Sequence, residues 1–237
     1  MLLTTPPDWL LNPSRIDLFH FPLHTLFENA DTLLDADETL RAHRFLFPKH
    51  QRRFTVARAT LRLILAQYLF LAPQELHFTY NAHGKPNVLS STDLQFNVSH
   101  SEEWAILAVG QTHPLGVDLE FFSDRPYSGI ATHLFSDSEQ RILQNAPLSL
   151  QPLIFFHIWA QKEAFIKATG LGLAYPAQQI SVTVFPKAPI QVIDPLKQMS
   201  WQLRPFMPHI ACCGALCCHL SITEVRTFVL SNLPILS

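Results

Sequence analysis

No run of apolar residues approaches the ~18 needed to cross a bilayer, and Met1 to Trp9 lacks a basic segment leading into a long apolar one. Neither a membrane protein nor a secretory leader is therefore expected. Dispersed cysteines are missing as well: all four stand together as Cys212, Cys213, Cys217 and Cys218. Adjacent cysteines rarely have the geometry for a mutual disulfide, and no distant partner exists, which points to a reducing, cytoplasmic setting. Nor is there an excess of charge. A net charge of -2 with 15% charged residues excludes a nucleic-acid coat or an anionic membrane partner as a whole-chain property. Glycine is scarce, at seven in 237 residues. Four of these, Gly84, Gly116, Gly170 and Gly172, border the motifs described below, where a permissive backbone lets the chain bend or come close to something.

Hydrophobic residues make up 48% of the chain, enough for one large domain or two compact halves, each with a core. Ser14 to Pro22 alternates and predicts an opening strand. Asp37 to Phe47 predicts a helix capped by Asp35 or Asp37, and Gln51 to Leu71 a longer one ended by Pro73. Leu76 to Tyr80 predicts a strand, and Asn81 to Pro86 has turn chemistry. Strands are expected over Leu94 to Val98, Trp104 to Val109 and Leu115 to Glu120. Ser136 and Glu139 form a capping box for a helix reaching about Asn145, and Pro152 opens a helix closed by Gly170. Strands over Ile180 to Phe185, Gln191 to Ile193, Trp201 to Arg204 and Ile210 to Leu220 complete a final sheet. The class is α+β, each half a helix with a small antiparallel sheet, divided as residues 1–115 and 116–237.

Four constellations carry chemistry. In Gly116-Val117-Asp118-Leu119-Glu120 a strand projects Asp118 and Glu120 from one face. Paired carboxylates repel unless protons or a cation stand between them, and oxygen-only ligands suit Mg2+; a solvated edge strand would read the same way. In Trp159 to Lys167 the helix is apolar around most of its circumference, so it should be buried. Glu163 and Lys167, four residues apart, share a face and then need partners. From Arg41 to Arg62 there are seven Lys and Arg and no acidic residue. Arg58 lies within the apolar stripe of its helix, where a guanidinium needs an anion, and the Arg fork suits phosphate. Finally, Asn97-Val98-Ser99-His100-Ser101 is a polar knot between apolar strands.

Taken in order, A-R-x-x-L-R at Ala57 to Arg62, G-K-P at Gly84 to Pro86, F-N-V-S-H-S, G-V-D-L-E and W-A-Q-K-E-A-F-I-K-x-x-G-x-G-L resemble the Sfp-type 4′-phosphopantetheinyl transferases over about Leu40 to Leu173. Ala160 stands where threonine is common in that family. The resemblance implies two similar halves in a pseudo-twofold arrangement within a monomer, with coenzyme A as co-substrate and Mg2+ between them. It implies Asp118, Glu120 and Glu163 as metal ligands, with Glu163 also the base and Lys167 stabilising phosphate charge. Ser99 and His100, with Arg58, Arg53 and Lys85, would hold the adenosine 3′-phosphate. The acceptor would be the serine of an acyl or peptidyl carrier protein in fatty-acid, polyketide or peptide synthesis.

Two other readings stand beside this one. A catalytically inactive relative would keep affinity for coenzyme A or the carrier alone. A zinc-thiolate protein would use the four cysteines, although neighbours on a strand face opposite ways. For the carrier, Phe121, Phe122, Arg125, Tyr127 and Ile130 combine aromatic and basic character in an expected loop beside the metal; equally, those aromatics could pack beneath the loop.

Overall fold

A computed structural model describes residues 8–89, 93–124 and 126–230, together with the backbone of residues 2–3. The elements are β1 (Leu2–Leu3), β2 (Arg15–Pro22), α1 (Ala36–His43), α2 (Pro48–Leu69), β3 (Phe78–Tyr80), β4 (Pro86–Val88), β5 (Leu94–Ser101), β6 (Trp104–Gln111) and β7 (Gly116–Phe121). They continue as α3 (Ser128–Leu134), α4 (Asp137–Asn145), α5 (Gln151–Thr169), β8 (Ile190–Ile193), β9 (Ser200–His209), β10 (Cys212–His219) and β11 (Glu224–Val229).

Two sheets and two long helices make an α+β architecture of two halves. In the first half, the sheet runs β1-β11-β2-β6-β5, and Phe19, Phe21, Val56, Leu61 and Leu65 share one core between β2 and α2. In the second, the sheet runs β7-β10-β9-β8, and Phe155, Phe156, Ile158, Phe165 and Trp201 share another under α5. A third apolar cluster, including Leu18, Ile106, Leu119, Cys212 and Leu216, joins the two sheets on the faces turned away from both helices.

The expected capping box at Ser136/Glu139 forms, and of the two candidates Asp35 caps α1, in a box with Glu38. Gly170, with φ of 74°, closes α5 in the left-handed conformation expected of a C-terminal glycine. Pro48 does not interrupt a helix; it begins α2 at the first turn, where its missing N–H has no intrahelical partner to lose. Ile180 to Phe185 is not a strand. Its Val182 N–H donates to Glu139 Oε1 at 2.7 Å, a side chain taking the place of a sheet neighbour. The segment after β7 is not wholly loop, since Ser128–Leu134 is helical.

The first sheet is mixed rather than antiparallel, because β11 pairs parallel with β2, Glu224 opposite Arg15 through Val229 opposite His20. The last strand thus crosses back into the first half, across the division at residue 116. Arg226 draws it there: its guanidinium donates to both oxygens of buried Asp17 at 2.7 and 2.8 Å, and Tyr68 of α2 donates to the same carboxylate at 2.5 Å.

The cysteines follow the pleat of β10. Cys212 and Cys218 enter the cluster between the sheets, and Cys213 and Cys217 the core under α5. All four are free and buried, and burial pushes every thiol above its ordinary pKa. They are apolar core residues, split between two faces, and cannot converge on one zinc.

Candidate active site

The site is where β7 and α5 cross. Gly116 makes the crossing close: a methyl there would collide with the Ala164 carbonyl oxygen and the Ala168 amide of α5. Two turns of helix therefore lie directly on the strand, and Lys167 reaches its backbone and side chains. The Lys167 ammonium donates to Asp118 Oδ1 at 2.6 Å and to Ser99 Oγ at 2.9 Å, and lies 3.3 Å from the Val117 carbonyl.

Asp118 is buried at 3% exposure. Ser99 donates to its Oδ1 at 2.9 Å, while its Oδ2 is buried with no hydrogen-bond partner among the described residues. Such an orphan carboxylate oxygen is costly unless something electropositive meets it. Glu120 is half-buried, and Trp159 of α5 donates its indole N–H to Glu120 Oε1 at 2.7 Å. Glu163, one helical turn beyond Trp159, is also half-buried. Burial first, then the charge of Asp118 and that of Glu120, outweigh Lys167 and raise its pKa to about 7.

The strand F-N-V-S-H-S also joins the two halves. It is the end of β5, and its alternate polar side chains stitch the first half to the second. Asn97 Oδ1 accepts from Val117 N at 2.9 Å, Ser99 Oγ from Leu119 N at 3.3 Å, and Ser101 Oγ from Phe121 N at 3.0 Å. Side chains replace the main-chain ladder that two sheet edges would otherwise lack. His100, between them, points the other way and is exposed. Crowding by protein atoms, followed by the charges of Lys167 and Arg53, lowers its pKa despite the opposing effect of Asp118. A neutral imidazole in a positive field will gain affinity for a proton when an anion arrives.

Lys85 comes from the turn that joins β3 to β4, where Gly84 has a φ of 82° and Asn81 Oδ1 accepts from the His83 and Lys85 amides. Its ammonium donates to the Leu115 and Lys167 carbonyls at 2.9 and 2.8 Å and lies 3.3 Å from that of Ala168. A cation there complements the C-terminal end of α5 and clamps the halves together, and burial lowers its pKa to about 8.

Two expected phosphate contacts have internal partners. Arg58 is buried, and its guanidinium pairs with Glu38 of α1. Glu38 also accepts from Arg62 at 2.7 Å, and Arg62 reaches Asp35 at 2.5 Å. The inward-facing guanidinium does have its anion, but that anion belongs to the protein, so Arg58 holds α1 onto α2 rather than facing the crossing. Arg53 pairs with Glu103 at 2.8 Å and Glu102 at 3.3 Å. The basic run from Arg41 to Arg62 is thus largely neutralised from within, and an exchange with Glu102 and Glu103 would be needed to free Arg53.

The structure brings Asp118, Glu120, Glu163, Lys167 and Ser99 together, with His100 at the margin. Among the described residues, no three Asp, Glu, His or Cys side chains are gathered closely enough to enclose an ion. Even so, the donor set is all oxygen, one buried oxygen lacks a partner, and Glu163 is raised by the very carboxylates it would share a cation with. These residues fit a divalent cation. Trp159, Asn97 and Ser101 stand within the motifs above but were given no role there, although the polar period of two across 97, 99 and 101 marks one face of a strand.

Of the expected carrier-docking residues, Arg125 lies outside the described residues. Tyr127 stacks on Phe155 with ring centroids 4.7 Å apart, and Phe122 on Phe156 at 5.4 Å. Phe122, Tyr127 and Ile130 are partly buried against the second core and hold the segment down on α5.

Comparison with known proteins gives one consistent result. Residues 114–213 match the model of the 4′-phosphopantetheinyl transferase superfamily, and residues 21–112 that of the 4′-phosphopantetheinyl transferase N-terminal region. The 4′-phosphopantetheinyl transferase HetI of Nostoc is 35% identical over 222 residues, covering 90% of this chain and 91% of its own. The 4′-phosphopantetheinyl transferase Sfp of Bacillus subtilis is 30% identical over 152 residues, covering 64% of this chain and 66% of its own. The L-aminoadipate-semialdehyde dehydrogenase-phosphopantetheinyl transferase of Xenopus laevis is 26% identical, covering 63% and 54%.

Proposed function

This chain belongs to the 4′-phosphopantetheinyl transferase family, and we propose that it works at the crossing of β7 and α5, with Glu163 as its base. The reaction moves the 4′-phosphopantetheine of coenzyme A to a serine of an apo carrier protein and leaves 3′,5′-adenosine bisphosphate. An inactive relative is not favoured, because Asp118, Glu120, Glu163 and Lys167 are all retained.

The observation that carries the assignment is the meeting of Asp118, Glu120 and Glu163 where β7 and α5 cross, beside Lys167, whose ammonium lies 2.6 Å from Asp118 Oδ1. In the metal-free protein, burial and the neighbouring carboxylates raise Glu163 to about 7, within the range in which a carboxylate can take a proton near neutral pH. Glu163 accepts the proton of the carrier serine as its oxygen attacks the phosphorus attached to pantetheine. Asp118, Glu120 and Glu163 would hold Mg2+, which when bound neutralises the pyrophosphate of coenzyme A. Lys167, already aimed at the crossing, supplies a second positive charge to the phosphates as the bond to the leaving group breaks. Ser99 orients Asp118 and Lys167, and Trp159 fixes Glu120. His100 takes the adenosine 3′-phosphate, with Arg53 assisting when it exchanges Glu103 for that anion. Lys85 clamps the first half onto the end of α5 through the Leu115 and Lys167 carbonyls.

The test is mass spectrometry of an apo carrier protein incubated with enzyme, coenzyme A and Mg2+. A gain equal to one phosphopantetheine, lost in EDTA and restored by added Mg2+, is expected. No gain, or full activity in EDTA, would refute the reading.

A further inference from the structure

On the faces turned away from α2 and α5, the two sheets leave a crevice of about 730 Å3 between them, within the ~300–1,000 Å3 typical of small-molecule pockets. Its walls include Leu18 of β2, Leu119 and Phe121 of β7, Leu216 of β10, and Val225 and Thr227 of β11. Leu119 and Phe121 leave β7 on the opposite face from Asp118 and Glu120, so the crevice is separate from the site above and backs onto the same strand.

Three basic side chains line it, His20, Arg204 and His209, with the Cys212 thiol, and no Asp or Glu does. His20 is 8% exposed; its ring makes no hydrogen bond among the described residues and packs edge-on to Phe206. Arg204 donates to Gln202 Oε1 at 2.9 Å and to the Ile222 carbonyl at 3.0 Å. Both are neutral, and Arg204 forms no ion pair among the described residues. A half-buried guanidinium beside apolar walls, with no countercharge, favours an anion. The walls are sheet faces whose backbone groups are paired within the sheets, so they suit a hydrocarbon chain better than a peptide.

We propose that this crevice binds a fatty acid, its chain lying between the two sheets and its carboxylate on Arg204, with His20 as a hydrogen-bonding group inside. Charge complementarity selects the carboxylate, and the apolar walls select the chain.

The experiment is calorimetric titration of the full-length protein with dodecanoate and, separately, dodecanol, both below their aggregation limits. Dodecanoate is expected to bind saturably at one site and more tightly than dodecanol. Arg204→Gln should weaken dodecanoate about tenfold or more while leaving dodecanol unchanged. Thr227→Phe, which narrows the crevice from the opposite wall, should weaken both ligands and carries the test if Arg204→Gln fails to fold by circular dichroism. Non-saturable binding, equal affinity for the two ligands, or full dodecanoate affinity in folded Thr227→Phe would overturn the proposal.

Discussion

The ammonium of Lys167 on α5 lies 2.6 Å from Oδ1 of Asp118 on β7, while Oδ2 of the same carboxylate is buried with no hydrogen-bond partner among the described residues. One oxygen is therefore taken up by the protein, and the other is where the proposed Mg2+ would bind. Asp118→Asn preserves the shape and removes the charge. Turnover should fall about 100-fold or more, and the rise in melting temperature that Mg2+ gives the parent should vanish. A variant still stabilised by Mg2+ to the same extent would remove Asp118 from the ligand set.

Glu163, raised to about 7, should govern the pH profile. Activity should rise with pH through about 7 as the carboxylate loses its proton, and more Mg2+ should move that limb to lower pH. The stability sign is opposite. Because the folded pKa exceeds the ordinary 4.5, the folded protein holds more protons, so metal-free stability should decline as pH rises from about 4.5 to about 7. Glu163→Gln should flatten that decline and lose kcat far more than coenzyme A affinity. Melting curves across pH and steady-state rates check both.

His100 and Arg58 should separate. His100→Ala is expected to weaken coenzyme A about tenfold while leaving 3′-dephospho-coenzyme A nearly unchanged, since a charge-assisted hydrogen bond contributes ~1.5–3 kcal/mol. In the parent, the imidazole pKa should rise when coenzyme A binds, which proton NMR would follow. Arg58→Ala should instead leave Glu38 buried beside Arg62 alone and destabilise the fold by about 3 kcal/mol or more in urea, without discriminating between the two ligands.

Tyr127→Ala removes the ring stacked on Phe155. It should cost about 2–4 kcal/mol of stability and leave the KM for the carrier within twofold. A raised KM with unchanged melting would return this residue to the docking surface.

Much of this protein was legible in its residues. The cap near Asp35, the capping box at Ser136, the αL glycine that ends α5, and the shared face of Asp118 and Glu120 are local geometry, carried by residues within a few positions of one another. The motif order placed the carboxylates and Lys167 in one family. Tertiary structure decided what those residues touch. Arg58 announced a need for an anion but not that Glu38, twenty residues earlier, would supply it. Ser99 reads as a phosphate ligand until the sheet edges meet and its hydroxyl is taken by the Leu119 amide and Asp118. Arg226 reaches Asp17 across 209 positions and carries the last strand into the first sheet. A charged side chain states its requirement in the sequence, but several partners can meet that requirement, and packing alone selects which one lies within reach.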